Sequence, residues 1–158
     1  MRSVEQLRYL VLGVQREGNR DLTAALRPLG LTPAQSEVLR ILGDHEPLSL
    51  TDLGRMLVCE SGTNPSRLAD RLVRAGLVDR AESADDRRQL VLTLTARGRE
   101  VEQAVRGIED ELYARLQQEL SGVDLDELIA FLRSMIAGRP SGDALATRVA
   151  AEPAGGGY

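Results

Sequence analysis

The chain has 158 residues, enough for one domain of ordinary size, and is 42% hydrophobic but only 3% aromatic, so its core has to be built from Leu, Val, Ala and Ile, the side chains that fill helix–helix contacts. One cysteine, Cys59, and one histidine, His45, exclude an intrachain disulfide and leave no redundancy for a Cys/His zinc site or a Cys-His nucleophile pair, so metal and thiol chemistry are not expected. The net charge of −4 is uneven: residues 1–47 are neutral, residues 48–99 carry +2 and residues 100–158 carry −6, so a polyanionic partner would meet the middle third. All 20 basic residues are Arg, so the choice of Arg over Lys at any one site carries no information. No apolar run approaches the roughly 18 residues of a membrane span, and the first residues read as amphipathic rather than as a leader. A soluble cytoplasmic protein with no metal or cofactor is expected.

In chain order, Val4, Leu7, Val11, Val14, Leu22 and Leu26 recur at helical spacing and predict one long helix over 3–27, with Gly13 or Gly18 as a place to bend. Thr32-Pro33-Ala34-Gln35 supplies an N-cap, a proline at the first helical position and the far arm of a capping box, opening a helix over about 33–43. Ser49 with Asp52 repeats the signal for a short helix carrying Leu53, Met56 and Leu57. A turn over "CESGTN" leads to the helix "PSRLADRLVRAG", with Leu68 and Leu72 inward and Gly76 ending it. Two short helices joined by a tight turn are a helix-turn-helix signal. Pro65 leaves the start of the second helix open: Ser61 as N-cap would bury the proline one turn in, whereas Asn64 as N-cap would put it at the favoured first position.

"LVDRA" and "QLVLTL" alternate as two antiparallel strands, joined by a hairpin holding Asp85-Asp86-Arg87-Arg88. Thr95 caps a long helix with a stripe of Val101, Val105, Ile108, Leu112, Leu116 and Leu120, and Asp124 with Glu127 opens a last helix carrying Leu128, Ile129, Leu132 and Met135. From 139 the composition turns to Ala, Gly, Pro and Ser, so residues 139–158 are expected to form a loose tail, with at most a helical turn or two over 143–151. The layout is thus one mainly α domain over 1–138.

This order of helix, helix, helix-turn-helix, two-stranded wing, helix, helix resembles the MarR (multiple antibiotic resistance regulator) family of winged helix-turn-helix regulators over roughly residues 5–137. The resemblance is carried by "LSLTDLGRMLVCESGTNPSRLADRLVRAGLV", by the wing "DRAESADDRRQLVLTLT" and by the "LTARG" junction into the long helix. It implies a DNA-binding lobe over 31–95, and helices over 1–30 and 96–138 that interlock with a second copy in a homodimer. A pseudo-palindromic double-stranded DNA operator and a repressor released by a small anionic or phenolic effector are implied as well. Relatives that bind urate or zinc use a Trp or several His; this chain has no Trp and one His.

The residues agree with that reading. A recognition helix enters the major groove by its N-terminal end, which here offers Ser61, Thr63, Asn64, Ser66 and Arg67. Asn pairs with adenine and Arg with guanine, so Asn64 and Arg67 are candidates for base readout, with Arg71 and Arg74 set for phosphates. Arg87 or Arg88 at the wing tip could enter the minor groove, with Asp86 shaping the turn. An effector pocket is expected between the first helix and the winged lobe, with Arg16, Asn19 and Arg20 meeting a carboxylate or phenolate and Leu12 or Met56 its ring. Cys59 reads as a turn residue; a redox-responsive repressor acting through it is one alternative. A winged-helix module that binds protein and not DNA is another, but it would have no use for Arg87 and Arg88 beside Arg67 and Arg71. No nucleophile–base pair or phosphate-cradling glycine loop suggests an enzyme.

Overall fold

The computed structural model describes residues 1–58, 64–82 and 90–151. Helix α1 (Ser3–Leu26) runs unbroken through Gly13 and Gly18, because a helix interior tolerates glycine where neighbouring residues keep the ladder intact. A single 3-10 turn ends at Gly30, whose φ of 67° reverses the chain. Helix α2 (Pro33–His45) follows with both arms of its capping box made: Gln35 N–H donates to Thr32 Oγ1 at 3.3 Å and Thr32 N–H donates to Gln35 Oε1 at 2.9 Å. It is the centre of the core, with Val38, Leu39, Ile41 and Leu42 fully buried against Leu26, Leu53, Leu72, Leu92 and Val105.

Strand β1 (Leu48–Ser49) leads into α3 (Leu50–Met56), whose N-cap is Ser49. Helix α4 (Pro65–Arg74), strands β2 (Val78–Glu82) and β3 (Leu90–Leu94), and helices α5 (Ala96–Glu119) and α6 (Leu125–Ile136) complete the expected order, with Thr95 and Asp124 as caps. The sheet has three antiparallel strands in the order β1-β3-β2, with Val78 opposite Leu94 and Leu48 opposite Leu92. A two-stranded wing was the expectation; two residues of β1 are too few for alternation to show in the sequence. Glu46 extends the β1 edge by accepting the Leu94 N–H and pairing with Arg99.

The chain beyond 139 departs from the expected loose tail. Pro140–Ala151 is a helix, α7, which folds back on α3 and buries Ala144. Apart from Leu145 and Val149 its apolar side chains are mostly alanine and its periodicity is faint, so its order comes from tertiary packing. No helix among the described residues is long and apolar enough to cross a membrane.

Where α2 meets α5, a charged cluster flanks the apolar packing around Val105. Glu102 is 3% exposed and lies between Arg40 (Nη1, 2.7 Å) and Arg106 (Nε, 2.6 Å). Arg40 also donates from Nε to Glu109 at 2.9 Å, and Arg106 pairs with Asp44. Burial opposes the charged form of Arg40, but the carboxylates of Glu102, Glu109 and Asp44 outweigh it and hold its pKa above the ordinary guanidinium value. Gly43 makes room for this cluster, since a Cβ there would lie 2.7 Å from the Glu102 carboxylate. Replacing Glu102 by Ala removes the anion from two partly buried cations, and we expect a loss of about 3 kcal/mol in urea denaturation with unchanged m. A loss under about 1 kcal/mol would mean that the cluster behaves like a surface ion pair.

Candidate nucleic-acid interface

The start of α4 is fixed by Asn64. Its Oδ1 accepts the Ser66 N–H at 2.9 Å, and Pro65 takes the first helical position, where its missing N–H is no loss. The two alternatives left open by the sequence thereby reduce to one. The far end closes through Gly76, with φ 69°: Gly76 N–H donates to Val73 O at 2.9 Å and Leu77 N–H to Leu72 O at 3.0 Å, a Schellman pair.

Between these ends α4 has two faces. Leu68, Ala69 and Leu72 are buried against the core, while Arg67, Arg71 and Arg74, spaced by four and three, are exposed along the opposite side. None of the three forms an ion pair with another described residue, although acids lie nearby. Those acids are occupied: Asp52 lies 3.3 Å from Arg55, and Asp70 accepts from Arg80 on β2 at 2.6 Å. The Asp70–Arg80 pair ties the recognition-type helix to the first wing strand. Neither residue was singled out from the sequence, where ten residues separate them and nothing marks a pair.

The same helix is fixed at its base and its flank. Thr95 donates its hydroxyl to Gly76 O at 2.8 Å and its N–H to Leu77 O at 3.1 Å, while its Oγ1 accepts the Gly98 N–H at 2.9 Å. A Cβ on Gly98 would overlap the Leu77 carbonyl, so the end of α4, the start of β2 and the start of α5 form one tight joint. On the flank, Gly54 of α3 lets the Pro65 ring approach, 3.2 Å from where a Cβ would be. At the end of α3, Val58 N–H donates to the buried Glu37 at 2.8 Å. Glu37 was also missed, since an acid on a helix reads in sequence as solvated.

Of the residues predicted to meet DNA, the structure puts Asn64, Ser66, Arg67, Arg71 and Arg74 on α4 and its cap. Ser61, Thr63, Asp86, Arg87 and Arg88 lie outside the described residues, as does Cys59. The expected effector residues are not brought together in one chain. Leu12, Arg16, Asn19 and Arg20 are exposed on α1, with Arg20 paired to Glu17 at 2.7 Å, whereas Met56 is packed in the core. Two concavities lie elsewhere and are lined by none of these five. One of about 430 Å³ lies between α3, Pro65 and α7, and one of about 400 Å³ between Ser49–Asp52, Arg55 and Leu90.

Comparison with known proteins gives the arrangement a context. Residues 29–89 match the MarR family. The chain is 35% identical over 117 residues to a helix-turn-helix-type transcriptional repressor of Mycobacterium tuberculosis, covering 70% of this chain and 81% of that protein. It is 29% identical over 136 residues to the organic hydroperoxide resistance transcriptional regulator of Bacillus subtilis, covering 86% of this chain and 90% of that one. Among solved structures, a mutant MarR from E. coli complexed with operator DNA is similar at a TM-score of 0.72 and 25% identity, over 84% of this chain and 95% of that chain.

Because the Asn64 side chain is engaged as a cap, capping and base reading can be separated. Asn64→Ala is expected to cost about 1 kcal/mol of stability, and Asn64→Ser, which can still accept the Ser66 N–H, to keep most of it. If Asn64→Ser also binds DNA as wild type does, the residue acts only as a cap; lost affinity at retained stability marks it as a reader.

Proposed function

This chain belongs to the MarR family of DNA-binding transcriptional regulators, and from that premise we propose that it is a homodimeric repressor of a pseudo-palindromic operator, released by a small anionic or phenolic ligand. The observation that carries the DNA reading is the exposed row Arg67, Arg71 and Arg74 on α4, left without ion pairs to described residues while Asp52 and Asp70 are paired. In this reading Ser66 and Arg67, with Asn64, Thr63 and Ser61 before them, face base edges. Arg71 and Arg74 face phosphates, and Arg87 or Arg88 enters the minor groove beside a turn shaped by Asp86.

Apolar exposure supports the dimer. Val4, Leu7, Leu10 and Val11 on α1 and Ile129, Phe131, Leu132 and Met135 on α6 are solvent-facing in the single chain, and α6 buries no residue at all. Patches of that extent mark an interaction surface. A twofold axis through these helices would put the two copies of α4 about one DNA turn, roughly 34 Å, apart. A second copy laid over α1 could also wall in Leu12, Arg16, Asn19 and Arg20 and so complete an effector pocket. Such a ligand relieves repression only if it prefers the non-binding spacing of the two lobes.

Selection from a random duplex library, followed by titration at several salt concentrations, tests this. On the selected duplex Arg67→Ala is expected to cost about 1–3 kcal/mol, with little effect on random DNA. Arg71→Ala, Arg74→Ala and Arg88→Ala are expected to weaken both and to lower the salt slope by about one each. Failure to enrich any duplex would sink the DNA reading, and a monomer by sedimentation at micromolar concentration would sink the dimer.

A further inference from the structure

Helix α7 is not required to complete the winged lobe, yet it returns to α3 and meets the lobe at one buried acid. Arg148 Nη1 lies 3.5 Å from Glu37 Oε1, and Glu37 is 7% exposed. That same oxygen accepts the Val58 N–H at 2.8 Å. Val58 follows the last turn of α3 and leads the chain toward α4. One carboxylate oxygen therefore joins the C-terminal helix to the backbone at the exit of the first helix of the helix-turn-helix. The rest of the contact is sparse: Ala144 is the one buried residue of α7, and the 430 Å³ concavity between Val58, Pro65 and Thr147 is not filled by side chains. The ion pair is thus the main polar attachment of α7 to the lobe among the described residues.

We propose that Arg148 and Glu37 are a positioning pair for DNA recognition, through which α7 holds the exit of α3 at Val58 and, through the contact of α3 with Pro65, the placement of α4. This rests on the DNA-binding reading above. A helix exit held in place in the free protein need not be fixed on binding, so the affinity it adds falls on the specific site. Removing one cation from beside a buried carboxylate weakens the field that holds it in place and so loosens its hydrogen bond to Val58.

The test has two readouts, amide exchange at Val58 and along α3 in free protein, and affinity for a duplex selected by the wild-type chain. Arg148→Ala is expected to speed Val58 exchange and to lower affinity about fivefold, with an unchanged salt slope because no phosphate contact is lost. Glu37→Gln keeps an acceptor for Val58 but not the charge, and is expected to match it. The double variant is expected to be no worse than either single one. Arg148→Lys is expected to restore both readouts, and Arg139→Ala, just ahead of α7, to change neither. Wild-type exchange at Val58 in Arg148→Ala, or losses that add in the double variant, would overturn the proposal. If no duplex is selected at all, the DNA reading fails while the exchange arm still reports on the pair.

Discussion

The guanidinium of Arg40 is the point on which the two halves of the molecule turn. It projects from α2, the helix around which the lobe packs, and is held by Glu102 and Glu109 of α5. An apolar seam between two helices can slide by a fraction of a turn at small cost, because any methyl group will do for any other. A guanidinium fitted among carboxylates cannot, since its donors are satisfied in one register only. The lobe that carries α4 and the helix that leads away from it are therefore set in a fixed relation by charge, and Gly43 is left bare so that the carboxylate can enter.

The same device recurs around the recognition-type helix at smaller scale. Glu46 holds the edge of β3 and the start of α5, Asp70 holds β2 through Arg80, and Glu37 holds the exit of α3. This explains why a segment meant to face a polyanion contains so many acids. Several of them are turned inward or paired with a neighbour, while Arg67, Arg71 and Arg74 stay exposed on one side of α4 with no ion pair to a described residue. Net charge by segment understates that asymmetry, because it counts as equal an acid inside an ion pair and an arginine open to solvent.

What could be read from the sequence was what short-range chemistry decides. Thr32, Ser49, Thr95 and Asp124 each cap the helix they precede, because a cap needs only its own side chain and an N–H three residues on. The wing strands and the inward face of α4 were equally legible from periodicity. The start of α4 was ambiguous between two caps, and it is the Asn64 side chain accepting the Ser66 N–H, with Pro65 at the first helical position, that distinguishes them. Helix α7 was read as tail, since Arg148 finds its partner 111 residues away and nothing local announces it. The positioning acids were missed for the same reason: burial of a charge is decided by the distant cation that meets it. The wing arginines and the turn before α4 lie outside the described residues.

The tight joint at Gly98 and Leu77 has a mechanical consequence. Since the beginning of α5 is in van der Waals contact with the base of α4 and is held again through Glu102 and Glu109, the first half of α5 and the lobe move as one body. The remainder of α5, out to Tyr113, Leu116 and beyond, is then a handle. At 1.5 Å per residue the whole helix is about 36 Å long, so displacing its far end sideways by about 3 Å swings the lobe by about 5°. In the proposed dimer, a small adjustment in how two such handles cross would be geared into a change in the separation and tilt of the two α4 helices, without any residue of the lobe itself having to rearrange.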